Sequence, residues 1–245
     1  MVRWLVVAGA VVALAAAGCA GERRVGFGSA TDGAAERPMA SCDGVGTPFP
    51  IAALHQEPLS REELRALPFG PAVTSFFETG SGAVESHDFD GAEGFTILAE
   101  REGSLLLGGM RDGRVVSDFR LVRKGGSWDV SGWGGCVPRR VEGDLTAAVW
   151  YPTQKLRDVQ RTINIEVEGG KCVGEPNTTT KVARIDTHEA DQTLTVTVWV
   201  REPEPESACA GVGLLLPATV ELNAPLRHRR LLDGGLVPPG RVDRS

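Results

Sequence analysis

Positive charge is in deficit along this chain: 26 Lys and Arg stand against 32 Asp and Glu, a formal net charge of −6. Binding to nucleic acid needs a basic surface to meet phosphates, so that class is excluded. Histidine is scarce, at four residues, and no His-Glu-x-x-His pair occurs. The metalloprotease pattern, which needs two imidazoles on one helix face, is therefore missing. There is no Gly-x-Ser-x-Gly elbow, which removes the usual sign of an α/β-hydrolase nucleophile. No two cysteines have the close C-x2–4-C spacing of structural zinc. Long apolar runs are also lacking. The strongest one, residues 5–17, is rich in Ala and falls short of the roughly 20 apolar residues of a spanning helix.

That short run has a different meaning. Arg3 precedes it, and Ala16-Ala17-Gly18-Cys19 follows. One early cation, a short apolar core and small residues before a cleavage point describe a secretory signal peptide. Cys19 directly after Ala17-Gly18 resembles the lipobox of bacterial lipoproteins, with Ala16 where that family usually has leucine. The resemblance implies removal of residues 1–18 and a diacylglyceryl group on Cys19, which becomes the lipidated N-terminus. With its Ala/Gly/Arg-rich composition, the chain is similar to small exported lipoproteins of the actinobacterial type. The implied location is the outer face of the cell membrane, lipid-anchored.

Losing residues 1–18 removes one basic residue, Arg3, and leaves 25 basic against 32 acidic residues, a charge of −7. Such a chain gains nothing from anionic headgroups, so the lipid alone must hold it at the membrane. Assigning Cys19 to lipid leaves Cys42, Cys136, Cys172 and Cys209. An even set in an oxidising compartment points to two disulfides, although four cysteines allow three connectivities. The pairing Cys42–Cys136 with Cys172–Cys209 is favoured, because it keeps each bridge within one half of the chain.

The expected organisation has five parts. Residues 1–18 form the signal peptide and 19–41 the lipidated cysteine with a flexible tether. Residues 42–144 form an α+β domain and 145–233 a small all-β sandwich domain. Residues 234–245 are a C-terminal tail. The tether is rich in Gly and charge; its 22 residues after Cys19 would span about 25 Å as a coil and about 75 Å fully stretched.

In the α+β part, Ser60-Arg61-Glu62-Glu63 reads as a capping box, with Leu59 and Leu64 as a hydrophobic staple. Pro68 and Gly70 stop that helix, and Pro71 opens a second with Val73, Phe76 and Phe77 on one face. Beyond Gly94 about four antiparallel strands follow, with hairpin signals at Glu102-Gly103, Asp112-Gly113 and Gly125-Gly126. In the β part, Ile163, Ile165 and Val167 alternate with polar residues. So do Leu194, Val196, Val198 and Val200. Five or six such strands without a helical period predict a sandwich.

Candidate chemistry is sparse. Asp88-Phe89-Asp90-Gly91, between His87 and Glu93, resembles part of a calcium loop, but the remaining ligands of the twelve-residue pattern are missing. His188-Glu189-Ala190-Asp191 offers two or three metal ligands, yet reads better as an exposed turn between strands. Ser81, within Gly80-Ser81-Gly82, reads as a connector, and Asn177-Thr178-Thr179 as a sequon of little weight. Glu202-Pro203-Glu204-Pro205-Glu206 reads as a stiff solvated link. Trp128, Trp133, Trp150 and Trp199 are expected in cores rather than lining a ligand groove. No catalytic residue, metal ligand or cofactor is assigned. The expected function is a non-enzymatic lipoprotein that binds an envelope protein or polymer. A solute-binding lipoprotein and an envelope hydrolase are the alternatives.

Overall fold

The computed structural model describes residues 37–43, 46–79, 92–172, 179–202 and 211–242. All of them belong to one compact unit, Glu36–Ser245. The protein is mostly β, with several sheets and two helices among the described residues.

The chain enters through β1 (Met39–Cys42), which pairs antiparallel with β2 (Phe49–Pro50). A 3-10 turn, Ile51–His55, leads to α1 (Arg61–Arg65) and α2 (Gly70–Thr79). The capping box of α1 is formed in full. Ser60 Oγ accepts the Glu63 N–H at 3.2 Å, and Glu63 Oε2 accepts the Ser60 N–H at 2.9 Å. Together they satisfy two backbone donors that a helix start leaves open. Gly70 has a steric role where the helices meet. A Cβ there would fall 2.1 Å from the Leu64 carbonyl oxygen.

Four strands then form an antiparallel meander: β3 (Gly94–Arg101), β4 (Ser104–Arg111), β5 (Arg114–Lys124) and β6 (Ser127–Gly135). The β4–β5 hairpin turns through Asp112 and Gly113, both at positive φ (50° and 69°). That is the backbone a two-residue type I′ loop requires. Leu105, Leu107, Phe119 and Leu121 pack under α1 and α2 with Leu64, Phe69 and Val73. Leu98, Leu106, Met110 and Val115 face the other way, onto β1, β2 and the 3-10 turn. Burial on both faces explains why Leu105-Leu106-Leu107 is a continuous apolar run rather than an alternating one.

After the meander come β7 (Pro138–Glu142), β8 (Leu145–Ala147), β9 (Trp150–Pro152) and β10 (Thr162–Cys172). Next are β11 (Lys181–Glu189), β12 (Thr193–Arg201), β13 (Gly211–Glu221), β14 (Arg230–Asp233) and β15 (Gly240–Arg241). Strands β13, β10 and β9 form a three-stranded sheet. The inward rows expected of β10 and β12 are buried: Ile163, Ile165 and Val167 share one core with Leu194, Val196, Val198 and Val200.

The largest sheet has eight strands, in the order β15-β14-β12-β8-β7-β1-β2 with β11 on the other edge of β12. It runs straight across the division expected at 144/145, because β7 pairs with both β1 and β8. Two further expectations change with it. Residues 39–41, placed in the tether, lie in β1. Residues 234–242, placed in the tail, are tied into the sheet: β15 pairs with β14, and Gly235 O accepts the Arg140 N–H at 2.8 Å. Local pattern could not reveal the β1–β7 ladder or the Arg140–Gly235 bond, since each joins residues about a hundred positions apart.

The Cys42–Cys136 disulfide is present, across 94 residues of chain. It joins the end of β1 to the link between β6 and β7. Cys172 ends β10, while Cys209 lies outside the described residues, as do Cys19, Ser81, His87, Asp88, Asp90 and Asn177.

Candidate functional site

Three charged clusters could be mistaken for sites, and each has a structural task. Arg139 is 4% exposed; it pairs with Asp233 at 2.8 Å and donates to the carbonyl oxygens of Ala147 (2.7 Å) and Ala148. Asp233 in turn accepts the Gly235 N–H at 2.8 Å. Arg229 is held by Glu189 at 2.7 Å and by the carbonyls of Ala224, Pro225 and Leu226. Arg184 forks onto Glu142 at 2.7 and 3.1 Å, and also touches Asp186. Asp186 accepts the Trp199 indole N–H at 2.7 Å, and the Arg184 guanidinium sits 5.1 Å from the Trp199 ring centre. Arg139 and Arg229 spend their bonding capacity on nearby carboxylates and carbonyls, as buried charges must, and the more exposed Arg184 ties β11 to the end of β7.

The acidic segments of the sequence resolve in the same way. Glu93 Oε2 accepts the Asp112 N–H at 3.4 Å, and the rest of the calcium-loop-like segment, residues 87–91, lies outside the described residues. His188 and Glu189 do not form a turn. They are the last two residues of β11, paired with Thr195 and Leu194, and the turn starts one residue later. Among the described residues no three His, Cys, Asp or Glu side chains converge as a metal set. His55, His188 and His228 are exposed on the 3-10 turn, on β11 and in the link between β13 and β14. Glu202 bonds the Thr180 hydroxyl. Trp150 and Trp199 are buried at 3% and 6%, and Trp128 and Trp133 pack against the helix-side core.

A different place has the features of a binding site, and sequence reading did not single it out. On the face of the four-stranded sheet turned away from the helices, beyond the cover of β1 and β2, lies a cleft of about 200 Å³. Its floor is Ala99, Leu106 and Val122, and its charged walls are Arg101 and Arg120. Thr47, Ser104 and Ser131 add hydroxyls. The lining contains no carboxylate among the described residues, although the whole chain is acidic.

Register explains how these residues meet. Ala99, Leu106, Arg120 and Gly132 form one cross-strand row, and Arg101, Ser104, Val122 and Asp129 form the next on the same face. The two arginines are therefore two strands and one row apart. With strands about 4.8 Å apart and about 3.4 Å per residue, their Cα atoms stand about 12 Å from each other. Each guanidinium has only to reach about 6 Å to meet over Leu106 and Ser104.

Arg120 is held in place by three devices. Its Nε donates to Asp118 Oδ2 at 3.2 Å, from a side chain that is itself 60% exposed. Its stem lies over the Gly132 backbone, 3.9 Å from where a Cβ would stand. Opposite it, the β5–β6 ladder skips Ser131, and this bulged residue donates its hydroxyl to Arg120 O at 3.0 Å.

Asp118 works from below. It is buried, and at its cross-strand neighbour Gly134 a Cβ would stand 3.4 Å from its Oδ1. Burial holds its carboxyl above the usual carboxylate range; the Arg120 hydrogen bond and charge pull it down, and Asp43 pushes it up again. With Nε occupied, the two Nη groups of Arg120 make no bond to another described residue.

No protein-family model, no curated protein and no solved structure matches the chain.

Proposed function

We propose that this is a lipid-anchored lipoprotein of the cell envelope that acts as a non-enzymatic binding module. The Cys42–Cys136 disulfide carries the reading on the structural side, since such bonds persist in oxidising, exported compartments. The lipobox-like Ala16-Ala17-Gly18-Cys19 supports it from sequence. The bond also has a mechanical use for a tethered body. It fastens β1, the first described strand after the expected tether, to the far end of the meander.

An α+β part is followed by a small β-sandwich, in which the three-stranded sheet faces β12 across the shared core of Ile163, Ile165, Val196 and Val198. The test of anchoring is metabolic labelling with a radiolabelled fatty acid together with membrane partition. The native chain is expected to take up label and sediment with membranes, and Cys19→Ala to lose both. A Cys19→Ala chain that still partitions with membranes overturns the anchor. In-cell crosslinking of the anchored chain then identifies its partner.

The second reading, a solute-binding lipoprotein, is favoured by one observation, the arginine-walled cleft with its apolar floor. Polar groups at the rim and an apolar base are the usual division of labour in small-molecule sites.

A further inference from the structure

We infer that the cleft between Arg101 and Arg120 binds a small ligand bearing one carboxylate on a compact apolar body. The inference rests on the binding-module reading and names the chemistry of its ligand.

Three observations lead to this class. First, the guanidinium of Arg120 is preorganised. Asp118 takes its Nε and leaves the planar Nη pair without a bond to another described residue; its stem lies over the Gly132 backbone, and Ser131 holds its backbone carbonyl. A planar pair of N–H donors matches the two oxygens of a carboxylate. A charged group already held in position loses less freedom when a ligand arrives.

Second, Arg101 faces the same space from β3 and has no bond to another described residue. The cleft lining holds two cations and no carboxylate among the described residues, and an anion between them lowers their mutual repulsion. The nearest acids are already committed. Asp118 holds Arg120 from beneath, and Asp129 pairs with Lys124 at 3.2 Å.

Third, the floor of Ala99, Leu106 and Val122 offers hydrocarbon rather than further donors, and the space is about 200 Å³. An inorganic anion would leave that floor wetted and unused. A ring or short branched chain attached to the carboxylate covers it, and Ser104 lies between the charges as an added donor.

Sodium benzoate is a suitable probe, because benzamide has the same shape without the charge. The purified full chain is titrated with each while the methyl signals of Ala99, Leu106 and Val122 are followed by NMR. Benzoate is expected to shift those methyls saturably with a Kd of about 1 mM or below, and benzamide to leave them unmoved. Arg120→Ala and Arg101→Ala are each expected to weaken benzoate about 10- to 100-fold, the range for a lost charge-assisted hydrogen-bond pair. Arg120→Lys keeps the charge but loses the fork, and its affinity is expected to fall between those of the native chain and Arg120→Ala.

Equal shifts with benzoate and benzamide overturn the proposal. So does the absence of a saturable benzoate response, or unchanged affinity in both arginine variants. Inorganic phosphate binding more tightly than benzoate overturns the carboxylate class. Both arginines are exposed, so a folded variant is expected; retained dispersion of the helix-side core signals of Phe95 and Phe119 checks it. Failure here with Cys19 labelling intact removes the ligand and leaves the anchored module standing. Loss of labelling with benzoate binding intact does the reverse.

Discussion

Two carboxyl groups with opposite shifts make the pH response of this molecule legible at the scale of single residues. Hydrogen bonding to Arg229 holds Glu189 below its usual range, with burial opposing and the Asn223 and Ala224 N–H groups helping. Its folded form binds a proton less readily than the unfolded chain does. Glu189 therefore contributes stability above about pH 4.5, and that contribution is lost as pH falls through the depressed folded value. Asp118 behaves in the opposite sense. Burial lets its folded carboxyl keep a proton to higher pH, so its contribution is present below about pH 3.8 and declines as pH rises through the window above. Urea unfolding across about pH 3 to 7 checks both signs. Glu189→Gln is expected to lower stability at neutral pH and flatten the acid limb. Asp118→Asn is expected to remove a component that falls with rising pH. An unchanged slope in either variant contradicts its assignment.

The disulfide sets a larger residue-scale effect. Its loop spans 94 residues of separation, for which the chain-entropy relation gives about 4–5 kcal/mol. Replacing Cys42 and Cys136 together with alanine is expected to lower unfolding free energy by about that amount. Reductant should then have no further effect attributable to this bridge.

At the scale of elements, each local signal refers to neighbours a few residues away, and those signals were readable in advance. Ser60 and Glu63 specify the start of α1 because both partners lie within one turn. Ser60→Ala is expected to cost about 1 kcal/mol by urea unfolding, as loss of an N-cap does. Asp112-Gly113 marks its hairpin because few residue pairs tolerate two positive φ values in succession. The inward rows of β10 and β12 were visible because one face is dry and the other wet.

What the chain kept hidden depends on register. Arg101 and Arg120 look like ordinary strand charges, 19 positions apart, until two hairpin ladders place them on one face in adjacent rows. The bulge at Ser131 leaves no mark in composition, yet it brings the Ser131 hydroxyl onto the Arg120 carbonyl. The nearest available clue was Asp118, an acid between buried strand residues Ser117 and Phe119. His188 and Glu189 misled in the other direction. Polar residues at a strand end resemble a turn, but pairing with Thr195 and Leu194 extends β11 through both.

For the whole molecule, the decisive feature is the eight-stranded sheet that unites β1, β2 and β7 with β8, β11, β12, β14 and β15. Arg139 and Asp233 lock this union. They connect β7 to the end of β14 through a buried pair, and the neighbouring Arg140 donates to Gly234 O at 3.0 Å. A sheet shared in this way makes the two halves of the chain stabilise each other. The protein is therefore expected to unfold in a single calorimetric transition, with van't Hoff and calorimetric enthalpies equal. Asp233→Ala leaves the Arg139 charge buried without its counter-ion, an expected loss of about 3–5 kcal/mol. Hydrogen exchange then reads where that loss is felt. Amides of β4 and β5 in the meander and of β10 and β12 in the other half are expected to exchange faster together, because only global opening frees either set. Acceleration confined to β10, β12 and β14, or two resolved heat-absorption peaks, would instead show independent domains on either side of 144/145. The ladder through β7 and β8 would then be a contact between domains rather than part of one core.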